Sequence, residues 1–185
     1  MSTPHRRSSW EVKDAAILAE LITLMNLSPD EAALLKSLGP TAEPLAPQMT
    51  TAFYERLFAH DNTKEYFEGK AMERLHGMIA RWFIGLFSGT YDEEYAHQRL
   101  YIGHIHVKIG LPVRYPLAMM DVVMQYGDQI AAQSSQPQAA LKAFRKVLSL
   151  DVAIFNQAYE DNQLKHLADI VGCEALARRL LLGTS

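Results

Sequence analysis

Gly103-His104-Ile105-His106-Val107-Lys108-Ile109-Gly110-Leu111-Pro112 sets two histidines two positions apart. On a strand both would project from one face and could chelate one zinc or iron ion. On a helix, residues two apart diverge by roughly 200° and cannot share an ion. The local pattern supports either form. Tyr101, Ile105, Val107, Ile109 and Leu111 alternate with His104, His106 and Lys108, a strand periodicity. Ile102, His106 and Ile109 share a face if the segment is helical. The remainder of the chain decides between them.

The chain has 185 residues, enough for one domain with its own core, and 49% of them are hydrophobic, which is a globular composition. A formal net charge of −3 gives no bulk attraction to nucleic acid. Cys173 is the only cysteine, so no internal disulfide forms and a reducing compartment is expected. No long uncharged apolar run is present for a membrane span. Glu11, Lys13, Asp14 and Glu20 interrupt the first segment, which therefore does not read as a signal peptide. These features predict a cytoplasmic protein without membrane or nucleic-acid partners.

Helical signals recur from end to end. Residues 9–26 carry apolar side chains at helical spacing. Ser28-Pro29-Asp30-Glu31 combines a capping serine, a first-turn proline and a glutamate three residues after the cap. That helix is expected to stop at Gly39-Pro40, and Pro47 to kink or restart the next one over 41–59. Residues 70–87 are the clearest amphipathic helix, with Met72, Leu75, Ile79, Trp82 and Leu86 stepping by three or four. Another helix is predicted from Asp92-Glu93-Glu94 to just before Pro112, and two long ones over 115–132 and 138–168. A lone strand in such a chain would lack a pairing partner, so the double-histidine stretch is assigned to helix. One histidine then faces inward, and His106 falls within the apolar stripe. Its plainest role is a core histidine bonded to a backbone carbonyl. Tyr54 likewise has a plain role as a buried tyrosine, and Met72, Met78, Trp82 and Phe83 as core.

His106-Val107-Lys108-Ile109-Gly110-Leu111-Pro112, together with Phe53-Tyr54-Glu55-Arg56-Leu57 located 52 residues before the histidine, resembles the sensor globins, the heme domains of globin-coupled sensors. The likeness covers roughly residues 29–165. It implies an all-α globin fold, a three-over-three helical sandwich with an extra N-terminal helix and a reduced D-helix region. It also implies heme b as cofactor, with His106 as the iron ligand and Tyr54 on the opposite, distal side. His104 is left as a solvated residue. Leu75 and Met78 match distal pocket positions. His76 lies beside them, and a shift of one residue would make it a second iron ligand. Tyr115 falls near a proximal contact of some relatives. The implied pocket comprises Phe53, Tyr54, Met72, Leu75, Met78, Ile79, Trp82, Ile102, His106, Ile109 and Tyr115.

The resemblance further implies three parts. Residues 1–27 are an extension helix, 28–168 a globin sensor domain, and 169–185 a tail or linker toward an output domain. The expected activity is non-enzymatic sensing of oxygen, with CO and NO as further ligands. Signal passes through a homodimer formed by residues 115–168 to an output domain or partner protein. Two alternatives remain at this level. One is a heme-free globin-like interaction module in stress signalling. The other is a heme enzyme that oxidises nitric oxide.

Overall fold

The computed structural model describes Val12 and residues 15–183. Ten α-helices are found among them: α1 (Ala15–Met25), α2 (Pro29–Ser37), α3 (Gly39–Ala42), α4 (Ala46–Phe58), α5 (Asp61–Lys64), α6 (Met72–Gly85), α7 (Glu93–Lys108), α8 (Arg114–Ala132), α9 (Pro137–Val171) and α10 (Glu174–Leu181). The described residues contain no strand, so the double-histidine segment is helical. Of the helix expected over 9–26, residues 9–11, 13 and 14 lie outside the described residues, and α1 (Ala15–Met25) carries most of the rest.

The start signals act as their chemistry requires. The Ser28 side chain accepts from the Glu31 backbone N–H at 3.2 Å, and the Glu31 carboxylate accepts from the Ser28 N–H at 2.9 Å. Pro40, Pro44 and Pro47 each sit in the first turn of a new helical segment. There the missing N–H costs nothing, so the chain turns in steps instead of breaking. Asp92 caps α7 by accepting from the Tyr95 N–H. Between α4 and α6 only α5 and a single 3-10 turn at Glu65–Phe67 intervene.

The helices form two layers. α2 and α7 lie on α9, α6 lies on α4, and α4, α8 and α9 pack against one another in sequence. The main core between the layers is built from Leu35, Met49, Phe83, Phe87, Phe144, Ile130 and their neighbours, and Phe87 stacks on Phe144. A second apolar cluster joins α1 to α7 and α9 through Leu18, Tyr95, Leu100, Leu150 and Ile154. The expected tail, residues 169–185, holds structure of its own. α9 continues to Val171, the chain turns at left-handed Gly172, and α10 folds back onto α9.

Candidate functional site between α6 and α7

α6 and α7 follow each other in sequence but rest on different supports. α6 packs chiefly on α4, whereas α7 packs on α9 and α1. Among the described residues a single hydrogen bond joins them directly, from the Arg99 guanidinium to the Trp82 carbonyl at 3.3 Å. The two helices thus form a wedge that closes near Trp82 and Arg99 and opens toward the start of α6 and the end of α7.

His106 stands on α7 in the open part of that wedge. Its Nδ1–H donates to the Ile102 carbonyl at 2.7 Å, and its ring meets Phe155 of α9 edge-on at 5.3 Å. Burial holds its pKa below the usual histidine value, although the Ile102 bond works in the opposite direction. The imidazole is therefore neutral near pH 7. With Nδ1 carrying the proton, Nε2 presents a lone pair, which is how metal-ligating histidines are commonly prepared. His104 is exposed, so the helix separates the two rings as expected.

The residues after His106 end the helix at once. The Gly110 N–H bonds to the Val107 carbonyl and the Leu111 N–H to the His106 carbonyl, both at 3.0 Å, with Gly110 at φ 70°. This is a Schellman stop, which needs a left-handed residue that glycine adopts without strain. Leu111 tucks in behind it, and its carbonyl accepts from the Tyr159 hydroxyl of α9 at 3.0 Å.

Tyr54 stands on the α4 side and is 5% exposed. Burial raises its pKa to about 12, so the phenol keeps its proton. Its hydroxyl has no hydrogen-bond partner among the described residues. The ring of His76 stacks on it, with centroids 4.6 Å apart and 5° between planes. Phe53, Phe58 and Phe67 surround the pair.

The other candidate residues divide by position. Phe53 is core. Met72, Leu75, Ile79 and Trp82 are half-buried with one edge against the core, and Met78 is half-buried outside it. Ile102 is half-buried and supplies the carbonyl that orients His106. Ile109, placed on the His106 face by sequence, is instead 42% exposed because it caps α7 where the helix is already unwinding. With Glu65, Tyr66, Glu68 and Lys70 it lines a concavity of about 360 Å³ at the wide end of the wedge. Tyr115 stands beside Tyr66 and accepts from Arg114, rather than reaching His106.

Sequence reasoning missed a buried polar cluster at the narrow end. Asp151 of α9 accepts from the Trp82 indole at 3.0 Å, from the Tyr95 hydroxyl at 2.7 Å and from Arg99. Arg99 and Asp151 are 4% and 3% exposed. The available signal was a charge in the middle of each apolar stripe.

Half-buried apolar side chains along α6, one neutral imidazole and one phenol without a hydrogen-bond partner among the described residues suit a flat apolar group carrying a metal. Among the described residues no cluster of three or more His, Cys, Asp or Glu side chains could hold a metal alone.

Comparison with known proteins agrees with this geometry. The family description Protoglobin matches residues 14–165. The chain is 30% identical over 171 residues to the heme-based aerotactic transducer HemAT of Halobacterium salinarum, an alignment covering 84% of this chain and 35% of that protein. The chain therefore spans about a third of that relative. The globin domain of a Geobacter sulfurreducens globin-coupled sensor superposes with a TM-score of 0.71 at 29% identity, covering 76% of this chain and 96% of that one. The two-layer helical arrangement is a globin fold.

Proposed function

This chain belongs to the Protoglobin family, and from that premise we propose that it is a heme-based gas sensor. Heme b, when bound, would supply an iron that takes a protein nitrogen and O2, CO or NO. His106 Nε2 would hold that iron, in the tautomer set by the Ile102 carbonyl. Tyr54 would offer its hydroxyl to a polar diatomic, with His76 stacked on its ring. Phe53, Met72, Leu75, Met78, Ile79, Trp82 and Ile102 supply apolar walls that exclude water and slow oxidation, and Ile109 and Tyr115 border the entrance. The single observation that carries this reading is the neutral, oriented imidazole in the open part of the wedge. His76 lies close enough to Tyr54 to serve as a competing ligand.

Residues 28–168 form the sensor domain, 1–27 an extension, and 169–185 the segment leading toward an output domain or partner protein. The chain assembles as a cytoplasmic homodimer through residues 115–168. Leu117 and Met124, two turns apart on α8 and both exposed, support a partner face there. The sensor relatives favour a signalling role over catalysis. No helix of the described residues is long and apolar enough to cross a membrane.

Heme titration of the purified chain tests the reading. Wild type and His104→Ala should develop the same Soret band, and His106→Ala should lose heme or hold it loosely. A protein that never develops a Soret band would leave only the heme-free interaction module. Loss in His104→Ala with retention in His106→Ala would overturn the choice of ligand.

A further inference from the structure

We propose that Asp151 is a positioning residue at the vertex of the crevice, through which the spacing of α6 and α7 is transmitted to α9. The inference rests on the gas-binding reading above. Its basis is the way the two walls are joined. α6 and α7 meet chiefly at Arg99, which donates to the Trp82 carbonyl and lies against Gly85. The carboxylate of Asp151 receives one donor from α6, Trp82, and two from α7, Tyr95 and Arg99. One oxygen takes the indole and the other takes the α7 donors. Opening or closing the wedge therefore changes how the two oxygens are shared.

The position of Arg99 on α7 strengthens the case. Arg99 precedes His106 by seven residues, two helical turns, so both project on one side of the helix. Both also meet α9, Arg99 at Asp151 and His106 at Phe155. Between them lies Gly103, where α7 and α9 approach closely: a Cβ there would fall 2.5 Å from the Ala158 Cβ. α7 is thus a lever with its pivot at Gly103, the imidazole on one arm and the guanidinium on the other. Gly85 completes the arrangement, because a Cβ at that position would come within 2.9 Å of the Arg99 guanidinium. A buried ion pair is unforgiving of such displacement, since neither charge has water to turn to.

Hydrogen exchange of the ferrous heme-loaded chain, with and without CO, tests this. Amides of residues 147–158 should change their exchange rate at least threefold on CO binding. Asp151→Asn keeps one acceptor oxygen, puts a donor amide in place of the other and removes the charge, and should reduce that change to less than half while CO still binds. If Asp151→Asn does not fold, the paired variant Arg99→Met/Asp151→Leu removes both charges together, which buried pairs tolerate better than the loss of one, and the same reduction is expected. A merely structural pair would raise exchange equally in both ligation states and leave their ratio intact. That ratio unchanged in the variants, or a wild type with no CO-dependent change at 147–158, overturns the proposal. Absence of a Soret band in wild type overturns the gas-binding reading and this proposal with it.

Discussion

Gly103→Ala places one methyl group at a close contact between α7 and α9. The added carbon would fall 2.5 Å from the Ala158 Cβ and 2.8 Å from the Phe155 carbonyl oxygen. Carbon atoms in van der Waals contact sit about 3.5–4.0 Å apart, so the helices must separate by roughly 1 Å. Neither neighbour is the end of a flexible chain, and the strain falls on two backbones. Overpacking of this kind costs about 1–3 kcal/mol. Alanine returns about 1 kcal/mol through its better helix propensity. The net expectation is a loss of about 0–2 kcal/mol in a urea melt of the apo chain. Gly103→Val, larger and β-branched, should lose more. Heme should also leave Gly103→Ala faster than wild type, because His106 is one turn further along and must move with α7. Adding Ala158→Gly removes one of the two contacts and should recover part of the heme retention. The sign of the stability change decides the matter. A Gly103→Ala chain more stable than wild type by the full propensity gain would mean that α7 and α9 are not in close contact there.

Tyr54→Phe should leave the fold as stable as wild type, since the hydroxyl has no partner among the described residues. In stopped flow it should release oxygen about 5–150-fold faster, the equivalent of about 1–3 kcal/mol, and CO much less so; equal effects on both gases would mean that the ring acts by shape. Ser28→Ala removes the side-chain half of the α2 cap and should cost about 1 kcal/mol in the same urea assay, with no change in the Soret band. His106 makes apo-protein stability depend on pH. Its folded pKa lies below the ordinary 6.5, so the unfolded chain binds the proton more readily. The contribution is complete above pH 6.5 and fades as pH falls through the folded value. His106→Leu should accordingly flatten the fall in stability between pH 7 and pH 5, and an unaltered slope would place the titration elsewhere.

The clearest parts of the fold were those written in local chemistry. Ser28-Pro29-Asp30-Glu31 forms its capping box because all its partners lie within four residues. Ile109-Gly110-Leu111-Pro112 ends α7 for the same reason. His106 was separable from His104 because helical geometry parts the two rings, the apolar stripe holds His106, and the sensor-globin motif runs from His106. Ile109 is more exposed than a continuous periodic pattern implies, because the helix stops there. Arg99 and Asp151 are 52 residues apart, and each resembles an ordinary surface charge until its helix is oriented. Their neighbours gave the clue: Ala96, Leu100 and Gly103 around one, Val147, Ile154 and Ala158 around the other, all buried. A lone charge amid such a stripe requires an opposite charge across the interface. His76 stacking on Tyr54 was not legible, because it depends on the rotation of α6 about its own axis.

The separate footing of the two walls also bears on how the chain acquires its ligand. α7 is clamped along much of its length by α9 and held by α1 besides, so the imidazole stands ready on a stiff surface. α6 leans chiefly on α4, with half-buried side chains along its exposed edge. Segments with fewer buried contacts open first and at the lowest cost. A flat guest can therefore enter by displacement of the first turns of α6, which hold no fully buried side chain, while Phe83 and the rest of the core stay packed. The rate of loading and loss would then follow the opening of this one helix and not the stability of the whole domain.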